Sequence, residues 1–134
     1  MRARVCVMSL QSRYGFTHSR PCLRGAEQAW EYLDIVVGNE SEAEAMGAAF
    51  GFVEKDVKGI AQAAAKMPKK NGGKPRMVVI TQGSLATIVA TPDSVQEFPV
   101  PTGVKVVDTN GAGDAFCGTW LRETRCEKTC GACY

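Results

Sequence analysis

Short apolar runs alternate with helical patterns along this chain, and this alternation constrains the fold more than any other feature. The run DIVVG at Asp34 is fully apolar after its first residue, as expected of a strand buried on both faces. An Ala- and Glu-rich helical segment, NESEAEAMGAAF, follows it directly. A second helix is predicted from one apolar face, formed by Val57, Ile60, Ala61, Ala64 and Ala65. Strands that alternate with helices predict an α/β fold with a largely parallel sheet.

Further elements extend the pattern on both sides. RVCVMSL is a candidate first strand, Ala26–Leu33 suits a short helix, and RMVVITQG is a strand. ATIVAT and VQEF, joined by the turn TPDS, are predicted as an antiparallel addition to the sheet. VKVV is one more strand, and a helix is expected from Gly113 onward. The segment Lys66–Arg76 is rich in Lys, Gly and Pro, which indicates an exposed loop.

Length and charge limit the classes of partner. The 134 residues are enough for one domain with a sizeable core, and the net charge of +2 comes from scattered basic residues. We therefore expect neither nucleic acid nor a membrane as partner, because no basic stripe and no apolar run long enough for a bilayer occurs. The chain is predicted to be cytoplasmic, with the nucleus as an alternative.

The six cysteines do not suggest a disulfide scaffold. Cys126, Cys130 and Cys133 crowd the end of the sequence, but a zinc site would need a fourth ligand, and the single histidine, His18, lies in an unrelated segment. Free thiols in a reducing compartment are expected, and the role of the three clustered cysteines stays open.

The stretch DTNGAGDAF places Gly111, Ala112 and Gly113 between a strand and a helix. A helix N-terminus offers unpaired N–H groups and about half a positive charge, so it can bind an anion such as phosphate. Asp114 beside that anion makes sense if it orients an attacking hydroxyl and accepts its proton. The alternative is a tight turn in which Asp114 only complements the helix dipole. The dinucleotide-binding glycine pattern fails at Phe116.

Two other strand ends carry candidate polar groups. In GNESEAEA, Asn39 and Glu42 can form a capping box, or they can face a ligand at the carboxyl end of a parallel strand. In VVITQG, Thr81 and Gly83 can offer a hydroxyl and a close backbone to a phosphate, or they can form only a strand end and turn.

Together, DTNGAGDAF, DIVVGNESEAEAM and VVITQG resemble the C-terminal half of the ribokinase-like family of sugar and nucleoside kinases, and most closely its adenosine-phosphorylating members. The resemblance implies a three-layer α/β fold with a largely parallel central sheet. It also implies transfer of a phosphoryl group from ATP to the 5′-hydroxyl of adenosine, giving AMP and ADP. Another sugar or nucleoside kinase and a non-catalytic nucleotide-binding fragment remain as alternatives.

The resemblance also implies roles for individual residues. Asp114 would be the catalytic base, and the backbone of Gly111, Ala112 and Gly113 would form the anion hole. Mg²⁺ and its waters would be organised by Asn39 and Glu42. The ATP side would include Thr81, Gly83, Asp108, Thr109 and Asn110.

The family pattern extends beyond this sequence at both ends. We expect residues 1–134 to form one partial kinase domain that stops before the last helices of the family, so the fold would be incomplete at both ends. Because the N-terminal half supplies most acceptor contacts in this family, the isolated chain is expected to be inactive. The full-length protein is expected to be a monomer.

Overall fold

The computed structural model describes residues 7–9, 28–70, 73–103 and 112–129, which contain five strands, three helices and a short helical segment at residues 28–30. The strands are β1 (Val7–Ser9), β2 (Ile35–Asn39), β3 (Met77–Gln82), β4 (Leu85–Ala90) and β5 (Val95–Phe98). The helices are α1 (Glu40–Phe50), α2 (Val57–Lys66) and α3 (Ala112–Thr129). The chain divides into two units, Met1–Val100 and Pro101–Tyr134, and α3 belongs to the second.

The five strands form one sheet in the order β1-β2-β3-β4-β5. β1, β2 and β3 are parallel, whereas β4 is antiparallel to β3 and β5 is antiparallel to β4. The predicted α/β architecture and the antiparallel addition are therefore confirmed, and the described sheet is mixed because β3 and β4 also form a hairpin. The predicted strand VKVV lies outside the described residues.

One face of the sheet packs against α1 and α2. Met46 of α1 and Ile60 of α2 lie in the same buried cluster as Val36, Val78 and Ile80 of the sheet. The two helices approach closely at Gly47, where an added Cβ would lie 3.2 Å from the Ile60 side chain. The predicted apolar face of α2 is confirmed, since four of its five residues are buried and Val57 is partly buried.

The predictions for β2 and for the TPDS turn also agree with the structure. Four consecutive residues of β2, from Ile35 to Gly38, are buried, as expected of a strand covered on both faces. The turn between β4 and β5 is closed by a hydrogen bond of 2.8 Å from Thr91 N to the Ser94 carbonyl. α1 ends at Gly51, whose φ of 69° is the left-handed conformation that glycine adopts at helix ends.

Two predictions about the segments beside β2 and β3 are confirmed only in part. The helix expected over Ala26–Leu33 is helical in its described part only at residues 28–30, and the chain then turns towards β2. The described residues of the segment Lys66–Arg76 are exposed or half-buried as predicted, except Arg76, which is only 1% exposed. The buried Arg76 guanidinium donates hydrogen bonds to both segments.

Arg76 donates hydrogen bonds to five backbone carbonyl groups. Two of them belong to the turn before β2, and three lie at the end of α2 or just after it. The acceptors are Trp30 (2.6 Å), Leu33 (3.2 Å), Ala64 (3.0 Å), Met67 (2.9 Å) and Pro68 (3.1 Å). The last carbonyl groups of a helix have no partner within the helix, and a cation there also interacts favourably with the helix dipole.

The surroundings of Arg76 balance the cost of burying its charge. The guanidinium carbon lies 5.2 Å from the centre of the Trp30 ring, within the range of a cation–π interaction. Burial lowers the pKa of Arg76 from its usual value, while the negative charge of Asp34 acts in the opposite direction. Lys69 forms an ion pair with the Asp34 carboxylate and donates to the Lys74 carbonyl at 2.7 Å, so Asp34 also ties down the loop after α2.

No helix in the described part of the chain is both long enough and apolar enough to cross a membrane.

We predict that Arg76→Met lowers the free energy of unfolding of the intact protein by about 3 kcal/mol or more, because five carbonyl groups lose their donor, three of them in buried hydrogen bonds. Arg76→Lys should also lower it, since one ammonium cannot reproduce the planar fork of five N–H groups. Urea unfolding measures both effects, with Lys55→Met at an exposed position as the control. An Arg76→Lys variant as stable as the unmodified protein would show that a positive charge alone is sufficient.

Candidate active site

The carboxyl ends of two neighbouring parallel strands bring three of the predicted site residues to one edge of the sheet. Asn39 is the last residue of β2, and its partner in the register is Thr81 of β3. Glu42 lies in the first turn of α1, which begins directly after β2. In open α/β sheets, ligands bind outside the carboxyl ends of the strands, so these residues lie where a ligand is expected.

Asn39 and Glu42 form a reciprocal capping box. The Glu42 N–H donates to Asn39 Oδ1 at 2.9 Å, and the Asn39 N–H donates to Glu42 Oε2 at 2.9 Å. The first of the two readings of this pair from sequence is thus present in the structure. The role of the pair in metal binding stays a prediction.

The capping box does not use up the oxygen atoms of the pair. An amide oxygen has a second lone pair, and Glu42 has a second carboxylate oxygen, Oε1. Mg²⁺ prefers oxygen ligands and keeps several of its waters, so this donor set fits an ion that is held in part through water. Among the described residues, no group of three or more Asp, Glu, His or Cys side chains could hold a metal ion by itself.

Thr81 and Gly83 lie at the end of β3 and in the turn that follows. The Thr81 hydroxyl donates to the Gly38 carbonyl at 3.4 Å, which is a long hydrogen bond. Gly83 has a φ of 57°, whereas the φ of Ser84 is not positive, so the two-residue turn matches the type II′ pattern of hairpins. Gly83 is exposed, and its own backbone is therefore open to a ligand.

Gln82 is a residue at this edge that the sequence pattern does not indicate. Its side-chain amide donates to the Ala86 carbonyl across the hairpin at 2.8 Å. A polar residue at a strand end is common in sequences, and only the pairing of β3 with β4 shows which carbonyl it reaches. The single hint in the sequence is that a long amide side chain precedes a turn glycine.

α3 follows the glycine loop in the sequence and belongs to the second unit of the chain. α3 begins at Ala112, one residue before the predicted start, and Asp114 lies in its first turn. Ala112 and Gly113 are exposed. The first N–H groups of this helix have no partner within the helix and carry the positive end of its dipole. Four residues assigned to the loop, Asp108, Thr109, Asn110 and Gly111, lie outside the described residues.

Comparison with known proteins gives a consistent assignment. Residues 14–123 match the pfkB family carbohydrate kinases. Adenosine kinase from Schizophyllum commune is 44% identical over 101 residues, which are 71% of this chain and 29% of that protein. The chain therefore spans less than a third of the length of this curated relative.

Solved structures agree with the sequence comparison. The crystal structure of Anopheles gambiae adenosine kinase in complex with P1,P4-di(adenosine-5) tetraphosphate has a TM-score of 0.78 at 35% identity, and covers 90% of this chain and 36% of its own. Adenosine kinase from Schistosoma mansoni in complex with adenosine and AMP has a TM-score of 0.68 at 33% identity. The match covers 84% of this chain and 33% of the Schistosoma mansoni chain.

These likenesses confirm the ribokinase-like α/β fold expected from the sequence. The family match extends over most of the chain and includes the strand ends of β2 and β3 as well as the glycine loop and the start of α3. This chain belongs to the pfkB family of carbohydrate kinases.

Proposed function

We propose that the protein carrying this chain is an adenosine kinase, which transfers the γ-phosphoryl group of ATP to the 5′-hydroxyl of adenosine and releases AMP and ADP. The observation that carries the proposal is the start of α3 within the glycine loop, with Asp114 in the first helical turn. Support for adenosine as the acceptor comes from the adenosine kinases to which the chain is similar.

In the proposed reaction, the oxygen of the 5′-hydroxyl attacks the γ-phosphorus, and Asp114 accepts the proton of that hydroxyl. The bond from that phosphorus to the oxygen of the β-phosphate breaks, and ADP leaves with that electron pair. Backbone N–H groups of Gly111, Ala112 and Gly113 bind the oxygens of the moving phosphoryl group. Phosphoryl transfer depends almost entirely on positioning and electrostatic stabilisation, which are the two things a helix N-terminus provides.

The remaining site residues act on the nucleotide. Thr81, Gly83, Asp108, Thr109 and Asn110 would bind ATP. Asn39 and Glu42 would hold Mg²⁺ through its waters, and the ion supplies positive charge against the phosphates. We further propose that the full-length enzyme is a monomer in the cytoplasm, with the nucleus as an alternative compartment.

The proposal is tested by incubating the purified full-length protein with ATP, Mg²⁺ and either adenosine or ribose. Formation of AMP from adenosine, with little product from ribose, is the expected result. If only ribose were phosphorylated, the acceptor would be a sugar and not adenosine. If the protein bound ATP but transferred no phosphoryl group, the kinase assignment would be refuted.

We predict that Asp114→Asn in the full-length protein lowers turnover by about 10²–10⁴-fold, the usual contribution of a general base, because an amide cannot accept the proton. The dissociation constant of ATP should not change. Steady-state kinetics and calorimetry measure the two effects, and Asp93→Asn in the exposed turn after β4 is the matched control. Near-normal turnover of Asp114→Asn at saturating substrates would show that Asp114 is not the base.

We predict that Glu42→Gln raises the Mg²⁺ concentration needed for half-maximal activity while leaving stability nearly unchanged. The amide keeps a carbonyl oxygen that can accept from the Asn39 N–H, but it loses the negative charge. Glu42→Ala should raise the Mg²⁺ requirement too, and should also cost about 1 kcal/mol of stability through loss of the cap.

The control for both Glu42 variants is Glu44→Gln, an exposed position on the same helix. It should alter neither the Mg²⁺ requirement nor the free energy of unfolding. If Glu42→Gln had the Mg²⁺ dependence of the unmodified enzyme, Glu42 would be a helix cap only.

A further inference from the structure

The hairpin of β3 and β4 contains a β-bulge at the edge where the candidate site lies. Val78, Val79 and Ile80 pair in regular register with Ala90, Val89 and Ile88. The next pair is Gln82 with Leu85, which is a shift of one residue. Both Ala86 and Thr87 therefore lie opposite Thr81. A bulge of this kind interrupts the ladder, bends the strand and changes the direction of nearby side chains.

Gln82 holds one of the two bulged residues. Its Nε2 donates to the Ala86 carbonyl at 2.8 Å, and the Gln82 side chain is half-buried. This hydrogen bond joins β3 to β4 directly beside the turn that contains Gly83. Because a bulge leaves its extra residue outside the backbone pairing, a side-chain donor there fixes a conformation that the ladder alone leaves loose.

Thr81 is constrained from the other side by β2. It pairs with Asn39 in the parallel register, and its hydroxyl donates to the Gly38 carbonyl. That bond is long, at 3.4 Å, so β2 alone holds the hydroxyl weakly. On its other side Thr81 lies opposite the two bulged residues of β4, so the bulge is its second neighbour in the sheet.

We propose that Gln82 is a positioning residue for ATP: by holding the Ala86 carbonyl it fixes the bulge, and through the bulge it sets the position of the Thr81 hydroxyl and the Gly83 backbone. The inference rests on the proposed function, which assigns Thr81 and Gly83 to the ATP side. Gln82 itself touches no reacting atom, so it affects the affinity for the nucleotide rather than the chemical step.

The test uses Gln82→Met in the full-length protein, because methionine has a similar length but no N–H donor. We expect the KM for ATP and the dissociation constant of ATP to rise roughly threefold to tenfold, the effect of losing one neutral hydrogen bond. The KM for adenosine and the turnover at saturating ATP should stay unchanged. Gln96→Met on β5, where the side chain is exposed, is the matched control and should alter none of these values.

A role limited to hairpin stability gives a different result. In that case Gln82→Met would lower the melting temperature and leave the KM and the dissociation constant of ATP unchanged. Alternatively, it would lower the affinities for ATP and for adenosine to the same extent. Either result overturns the proposal. A selective loss of ATP affinity, absent in Gln96→Met, supports it.

A second measurement applies if Gln82→Met does not fold. Backbone hydrogen exchange of the unmodified protein is followed over residues 82–87 with and without ATP. Slower exchange of these amides with ATP supports the coupling of the hairpin to the nucleotide, and unchanged exchange overturns it. The proposed function can fail independently of this proposal. A protein that binds ATP but does not phosphorylate adenosine would refute the adenosine kinase assignment. The dissociation constants of ATP for the unmodified protein and for Gln82→Met would still decide the role of Gln82.

Discussion

The buried guanidinium of Arg76 is the interaction on which the first unit depends. It joins the turn before β2, the end of α2 and the start of β3 through five backbone carbonyl groups. A buried charge is tolerated only when its hydrogen bonds are satisfied, and each carbonyl that lost its donor would pay the cost of its own burial. The three segments therefore occupy their positions together. Next to this cluster, the Met77 N–H donates to the Asp34 carbonyl at 2.9 Å, so β2 and β3 begin side by side.

The side-by-side start of β2 and β3 determines which residues meet at the opposite ends of the two strands, where the proposed site lies. Pairing of Ile35 with Met77 continues residue by residue to the pairing of Asn39 with Thr81. Four residues at about 3.3 Å each separate the two ends by roughly 13 Å. Because side chains alternate between the two faces of a sheet, a slip of one residue would turn Asn39 or Thr81 to the wrong face and would expose the core residues of the same strand. The packing of the core thus fixes which polar groups meet at the ligand edge.

The sequence predicts the parts of this molecule that have a local signature. Patterns among residues that are close in the sequence predict β2, β3, the apolar face of α2 and the capping box at Asn39. Arg76 has no such signature, because its partners are backbone carbonyl groups between positions 30 and 68 and every residue type carries one. The bulge opposite Thr81 escapes prediction for a similar reason, since it depends on the register of two strands. The roles of Asp114 and of Asp108, Thr109 and Asn110 stay predictions from the family resemblance.

The starts of α1 and α3, each taken by itself, differ in a way that matches the roles proposed for them. In α1, the capping box occupies the N–H groups of Asn39 and Glu42 and does not use the second carboxylate oxygen of Glu42. α3 begins after a glycine, and a glycine has no side chain that could accept from the first N–H groups. A glycine directly before a helix supplies no side-chain acceptor, and the first N–H groups of a helix can bind an anion. The Glu42 carboxylate at the start of α1 is thus suited to a cation, and the N–H groups at the start of α3 are suited to a phosphate, which are the two kinds of charge that phosphoryl transfer from ATP requires a protein to hold.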